Sequence, residues 1–196
     1  MQHVNERHGL SYRVRKFFFI FHSILTSGRR SAWYVFWIKL LQVASIPLDY
    51  LFFVIEKMLP KKQAARDVPV VFVVGIHRTG STLVAQFLAD TFPFFPIGNF
   101  STLFRKSSFI PYRLATPFLR QGRKKHYRNY YGISTGLYAI GDAYEFWDQW
   151  FGKDHYTAAG MSDHRKAENL KQHLINIHQA CKRPLITKNN RNSLMI

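Results

Sequence analysis

Between Gly75 and Thr82 the chain reads GIHRTGST, and these residue types at this spacing suit the binding of a tetrahedral oxyanion. Gly75 and Gly80 stand in the G-x-x-x-x-G frame of a phosphate-binding loop. In such a loop, backbone N–H groups at the start of the following helix point at the anion, and the helix dipole adds to their attraction. The lysine that follows the second glycine in nucleoside triphosphatases is absent: Ser81 and Thr82 come directly after Gly80. The fixed charge inside the loop is Arg78, a planar fork of donors suited to a bidentate grip on an oxyanion. Arg78, Thr79, Gly80, Ser81 and Thr82 are therefore the candidate anion-binding residues. They can hold one end of a nucleotide without calling for a metal, and no strand ending in a Walker B type aspartate is visible downstream. No metal site is expected.

The elements that must position this loop are legible around it. Asp67 and Pro69 precede an apolar, mostly β-branched run at Val70–Val74, which reads as a parallel strand covered on both faces. The helix after the loop is expected to bury Leu83, Phe87 and Leu88. The stretch TFPFFPIGN suggests a second short strand near Pro93–Ile97. Further on, DAYEFWDQWFG reads as a short aromatic helix. In HRKAENLKQHLINIHQACKR, Leu170, Leu174, Ile177 and Cys181 recur at helical spacing. Pro184 ends that helix, and PLITK reads as a buried strand. The order predicts an α/β domain of the P-loop-like, three-layer αβα kind, with a parallel sheet that is incomplete at three strands. Its ligand should sit at the C-terminal ends of the strands, near Gly75 and Lys188.

Residues 1–66 form a separate hydrophobic and basic segment ahead of the α/β part at 67–196. Arg13, Arg15 and Lys16 precede FFFIFHSILTSG, and SAWYVFWIKLLQVASIPLDYLFFVIEKMLPKK follows Arg29 and Arg30. The apolar runs are short, and Lys39, Pro47 and Asp49 interrupt the second one, so a clean span of about 20 apolar residues is not met. The pattern predicts helices lying on or partly in a membrane face with basic anchors, or packing as plain core on the domain. No small-residue cleavage site follows the Phe17–Leu25 run, which argues against a secreted protein. The chain carries 28 Lys and Arg against 11 Asp and Glu, a formal charge of +17. That balance suits nucleic acid, anionic lipid or an anionic small molecule alike, and no nucleic-acid motif accompanies it. A membrane surface is thus a candidate partner and nucleic acid is not. The single Cys181 allows no internal disulfide, which fits a reducing compartment. A cytoplasmic or peripheral membrane location is expected.

The loop VFVVGIHRTGSTLVAQFL resembles the 5′-phosphosulfate loop of the sulfotransferases, in the branch whose loop reads roughly G-x-P-R-S-G-T-T-L-L. Arg78, Thr79, Gly80, Ser81, Thr82 and Leu83 fall on those positions, and His77 replaces the usual proline. The lead-in LDYLFFVIEKMLPKKQAARDVPVVFVVG is similar to that of bacterial members. GDAYEFWDQWFGKD and ITKNNRNS echo two later signatures, so the resemblance covers roughly residues 46–196. It implies transfer of a sulfuryl group from 3′-phosphoadenosine-5′-phosphosulfate (PAPS) to a hydroxyl or amine acceptor. It also implies that Lys188 stabilises the leaving bridging oxygen, as a lysine does in protein-tyrosine sulfotransferases.

Such a reaction needs a base for the acceptor's proton. Glu145 is the first candidate, because an aromatic setting strengthens a carboxylate as a base. Asp142 and Glu145 also have capping-box spacing, so Glu145 can instead close a helix start. His77 is the second candidate. His155, His164, His173 and His178 read as surface residues, and Asp142 and Asp148 as possible acceptor-binding groups. The basic run Arg105–Arg128 reads as a solvated or lipid-facing surface, or as the seat of an acidic acceptor. The family's 3′-phosphate site, an arginine and a serine on a later strand and helix, has no counterpart after Lys188. The chain is therefore expected to be a fragment of a longer enzyme or a shortened relative. Two rival classes are a degenerate P-loop kinase or other NTPase, and a non-catalytic, membrane-surface anion-binding protein.

Overall fold

The structure is a computed structural model that describes residues 30–59, 68–75, 79–118, 129–130, 133–134, 136–152 and 164–189. Helices α1 (Arg30–Ala44) and α2 (Ile46–Met58) come first, followed by β1 (Val70–Val73), α3 (Ser81–Thr91) and β2 (Phe95–Ile97). Two short helices follow, α4 (Asn99–Leu103) and α5 (Ile110–Ala115), then a small hairpin of β3 (Asn129–Tyr130) and β4 (Ile133–Ser134). The last elements are α6 (Tyr144–Phe151), α7 (His164–Cys181) and β5 (Leu185–Lys188).

The main sheet is parallel and three-stranded, in the order β1-β5-β2. The strand furthest along the chain thus lies between the first two, and all three predicted strands are present. β5 is buried at every position, with Leu185 turned to one face and Ile186 to the other. Leu185 joins Phe95, Ile97, Tyr112, Phe146, Trp147 and the inward side of α7. Ile186 packs with Ala85, Ala89 and Ile140. The fold is therefore a small α/β arrangement with helices on both faces of the sheet.

Two expectations about side chains fail. The helix after the loop does not bury its large apolar residues: Leu83 is 55% and Phe87 56% exposed, and Leu88 is only partly buried. The inward side carries Ser81, Ala85 and Ala89 instead, whose small side chains let α3 sit close against β1 and β5. β1 is likewise only half-buried, and Phe72 and Val74 are exposed. Among the described residues it is an edge strand, so it lacks the double cover that β5 enjoys.

Helix α7 buries Leu170, Leu174, Ile177 and Cys181 as expected, and burial pushes the Cys181 thiol up to about 12, leaving it protonated. His173 is a correction. It belongs to the buried side, between the rings of Phe146 and Trp150, because it lies one turn beyond Leu170 and next to Leu174. Burial lowers its imidazole from 6.5 to about 4, so it is neutral in the fold while the unfolded chain takes up a proton below about 6.5. Stability is expected to be full above about pH 6.5 and to fall as the pH drops from there toward 4. The loss is on the order of 3 kcal/mol. Urea titrations across that range check it: His173→Phe should flatten this part of the profile, and an unchanged slope would mean that other groups set it.

The first two helices are fastened along the domain by polar groups. Asp49, read from sequence as an interruption of an apolar run, is buried. Its carboxylate accepts from the amides of Arg105 (3.2 Å), Lys106 (3.1 Å) and Ser107 (2.9 Å) and from the Ser107 hydroxyl at 2.6 Å. Glu56, two turns further, accepts from the amides of Ser108 (2.8 Å), Phe109 (2.8 Å) and Ile110 (2.7 Å). The loop after α4, at the start of the basic run, thus finds its acids on α2. Arg105, Lys106 and Arg113 are solvent-exposed, and Arg120–Arg128 lie outside the described residues.

Candidate functional site

The parallel register sets Val73 beside Lys188, so the loop leaving β1 and the lysine ending β5 share one edge of the sheet. Gly75 shows how tightly the described part of that loop returns on itself. A Cβ at Gly75 would come within 3.0 Å of the Thr79 hydroxyl oxygen and 3.3 Å of the Ser81 Cβ. Gly75, just past the end of β1, therefore lies against the start of α3. Gly80 stands at the N-cap in the left-handed region, with φ +82°, a conformation glycine adopts without strain. It brings no side chain to the helix start. Ser81 is buried, Thr82 is half-buried and Thr79 is exposed. His77 and Arg78 lie outside the described residues.

Lys188 is not a solvated strand end: it is 2% exposed. Its ammonium forms an ion pair with the Asp142 carboxylate, which is also buried. The other Asp142 oxygen accepts from the Tyr144 hydroxyl at 2.6 Å. One residue back, Thr187 accepts from the Trp147 indole N–H at 3.2 Å. The end of β5 is thus fixed by the segment that enters α6. A charge this deep is tolerable only because it is paired and further hydrogen-bonded.

The segment that leads to Asp142 is held by the chain leaving β2. After β2, Gly98 passes so close to Ala139 that a Cβ there would lie 2.2 Å from the Ala139 carbonyl oxygen. The Asn99 amide donates to that carbonyl at 3.2 Å, and the Asn99 side chain donates to the Gly136 carbonyl at 2.8 Å. The chain then turns through Ala143, a non-glycine residue at φ 46°. Such a turn costs about 1–2 kcal/mol and persists where its surroundings fix it. Through it, Asp142 meets Lys188 just before α6 begins. The C-terminal ends of β1, β2 and β5 therefore converge on one locality, where α/β sheets ordinarily receive ligands.

Glu145 sits differently from the expectation. Helix α6 begins with Ala143 at its N-cap and no side-chain cap, so the capping box of Asp142 and Glu145 does not form. Nor is the carboxylate enclosed by aromatics. Phe146 and Trp147 turn inward, whereas Glu145 faces α1, is about one-third exposed and pairs with the Lys39 ammonium. Asp142 itself is committed to Lys188 and Tyr144 rather than open to an acceptor.

Asp142 as the partner of Lys188 was not foreseen, although an acid directly before an aromatic helix was the available signal. Lys39 as the partner of Glu145 carried no signal beyond being a charge in an apolar run. Comparison with protein-family models, with characterised proteins and with solved structures finds no match for this chain.

Proposed function

We propose that this chain serves sulfuryl transfer from PAPS to a hydroxyl or amine acceptor. The observation that carries the reading is the parallel register that sets the end of β1, where the lysine-free glycine stretch begins, beside a buried, carboxylate-held lysine at the end of the neighbouring strand. In the reaction, the acceptor oxygen or nitrogen attacks sulfur in line with the bridging oxygen. The S–O bond to the 5′-phosphate breaks, and adenosine 3′,5′-bisphosphate leaves. Arg78 and the amides and hydroxyls of Thr79, Gly80, Ser81 and Thr82 would hold the 5′-phosphosulfate end, where the helix dipole favours an anion. The Lys188 ammonium would meet the negative charge that grows on the bridging oxygen as the bond breaks. Asp142 would be a positioning residue that fixes that ammonium. Glu145, or His77 in its place, would take the acceptor's proton. The loop on β1 and the resemblance of its residues to the phosphosulfate loop support this reading over an NTPase, whose loop lysine is missing.

Transfer of label from PAPS to a panel of acceptors tests it, with release of adenosine 3′,5′-bisphosphate as the second readout. Glu145→Gln should lower turnover by about 10²–10⁴. Its melting temperature should barely move, because an ion pair as exposed as Lys39–Glu145 contributes about 0–1 kcal/mol. Full turnover in that variant would exclude Glu145 as the base and direct attention to His77→Asn.

A further inference from the structure

We propose that the outward face of α1 and α2 lies in the interfacial zone of an anionic bilayer, with the α/β part held to one side of it. This goes beyond the catalytic reading and does not depend on it.

The helix pair is inside out for a soluble protein. The acids within 30–59 are Asp49 and Glu56, and both turn inward onto backbone amides of the domain. Most of the described large apolar side chains turn outward, while Ile38 is buried and Phe52 packs against the core. Thirteen of the twenty-two large apolar residues exposed among the described residues lie between Trp33 and Leu59. They include Trp37 at 55%, Leu51 at 52% and Met58 at 81% exposed. So much exposed apolar surface on one helix pair marks a binding face.

Four observations commit the face to lipid. Its aromatic members, Trp33, Trp37 and Tyr50, are the types that settle at the headgroup level. Lysines stand at their side: Lys106 lies 5.2 Å from the centre of the Tyr50 ring and Lys57 lies 4.5 Å from that of Phe53. Long basic side chains at the edge of an apolar face reach lipid phosphates while their stems stay in the apolar zone. The formal charge of +17 draws the chain to an anionic surface and works against pairing two copies through a lysine-edged face. Finally, fastening points run along the whole pair: Lys39 to Glu145, Gln42 to Thr102 at 2.7 Å, Ser45 to the Leu103 carbonyl at 3.0 Å, then Asp49 and Glu56.

That last observation also selects the mode. No single helix among the described residues is long and apolar enough to cross a membrane. Phe36–Ala44 and Ile46–Met58 pass by length and composition only as a pair, bent by 44°. Crossing would tear this pair from the domain that holds it from Lys39 to Glu56. Lying flat keeps each of those contacts.

Flotation of the full chain with preformed vesicles tests the proposal. Vesicles of phosphatidylglycerol and phosphatidylcholine should carry the protein upward, and phosphatidylcholine alone should carry about tenfold less. Brominated lipid should quench the tryptophan emission, and Trp33→Phe with Trp37→Phe should remove most of that quenching. Leu51→Glu with Ile55→Glu should abolish flotation while the circular-dichroism melt stays within a few degrees of the parent, because both side chains point away from the core. A chain that stays at the bottom with every vesicle overturns the proposal. So does a Leu51→Glu, Ile55→Glu variant that still floats, or a vesicle-free dimer that the same variant splits, which would assign the face to a second copy.

Discussion

Asp142→Ala is expected to destabilise the folded chain by about 3–5 kcal/mol, the cost of stranding a buried ammonium without its counter-ion. Lys188 is 2% exposed, so water cannot take over the role of the carboxylate without opening the end of β5. Urea unfolding measures the effect. The double variant Asp142→Leu, Lys188→Met removes both charges and keeps the volume, and should recover most of that loss. Sulfuryl transfer should nevertheless remain absent from it. The split separates two roles for one pair: a structural clasp, restored by apolar packing, and a charge at the leaving oxygen, which packing cannot replace. Near-parental stability of Asp142→Ala would mean that the pair is not desolvated. Parental turnover in the double variant would remove Lys188 from the chemistry.

Arg78→Ala is expected to weaken binding of adenosine 3′,5′-bisphosphate by about tenfold to more than a hundredfold, the range for losing a charge-assisted contact of 1.5–3 kcal/mol. Transfer should fall below detection, because the grip on the equatorial oxygens is lost in the transition state as well. Arg78→Lys should recover part of the affinity and little of the rate, since a point charge cannot reproduce the fork. Equal affinity and rate in parent and Arg78→Ala would take this residue out of the anion site.

The strands and long helices were legible because their signals are local. Val70–Val73 is an apolar run and Leu185–Lys188 opens on two apolar residues, each directly after a proline, and α7 repeats its apolar residues at helical spacing. Burial was read less well where the third dimension decides. Leu83 and Phe87 were expected inside because they are large, yet Ala85 and Ala89 face the sheet because they let the helix approach it. His173 was expected at the surface because it is polar, yet its place one turn from Leu170 sets it among rings. The loop before α3 shows in the sequence as a glycine spacing, and the structure describes only its two ends. The partners of its neighbouring charges were not legible, because Lys188 with Asp142 and Lys39 with Glu145 join residues far apart in the chain. Asp49 shows the same limit from the other side. In sequence it breaks an apolar run, and in the fold it turns that run's apolar face outward by holding the opposite face to the domain.

The central claim, that the loop after β1 receives a PAPS-type nucleotide, is tested most directly by isothermal titration of the chain with three ligands: adenosine 3′,5′-bisphosphate, ATP with magnesium, and AMP. The bisphosphate should bind without added metal and at least about tenfold more tightly than magnesium ATP, a preference of roughly 1.4 kcal/mol or more, with AMP bound comparably through the 5′-phosphate that the two share. Arg78→Ala should lose most of that heat. Tighter binding of magnesium ATP would contradict the account in favour of an NTPase, and no binding of any of the three would leave the loop a strand-to-helix turn.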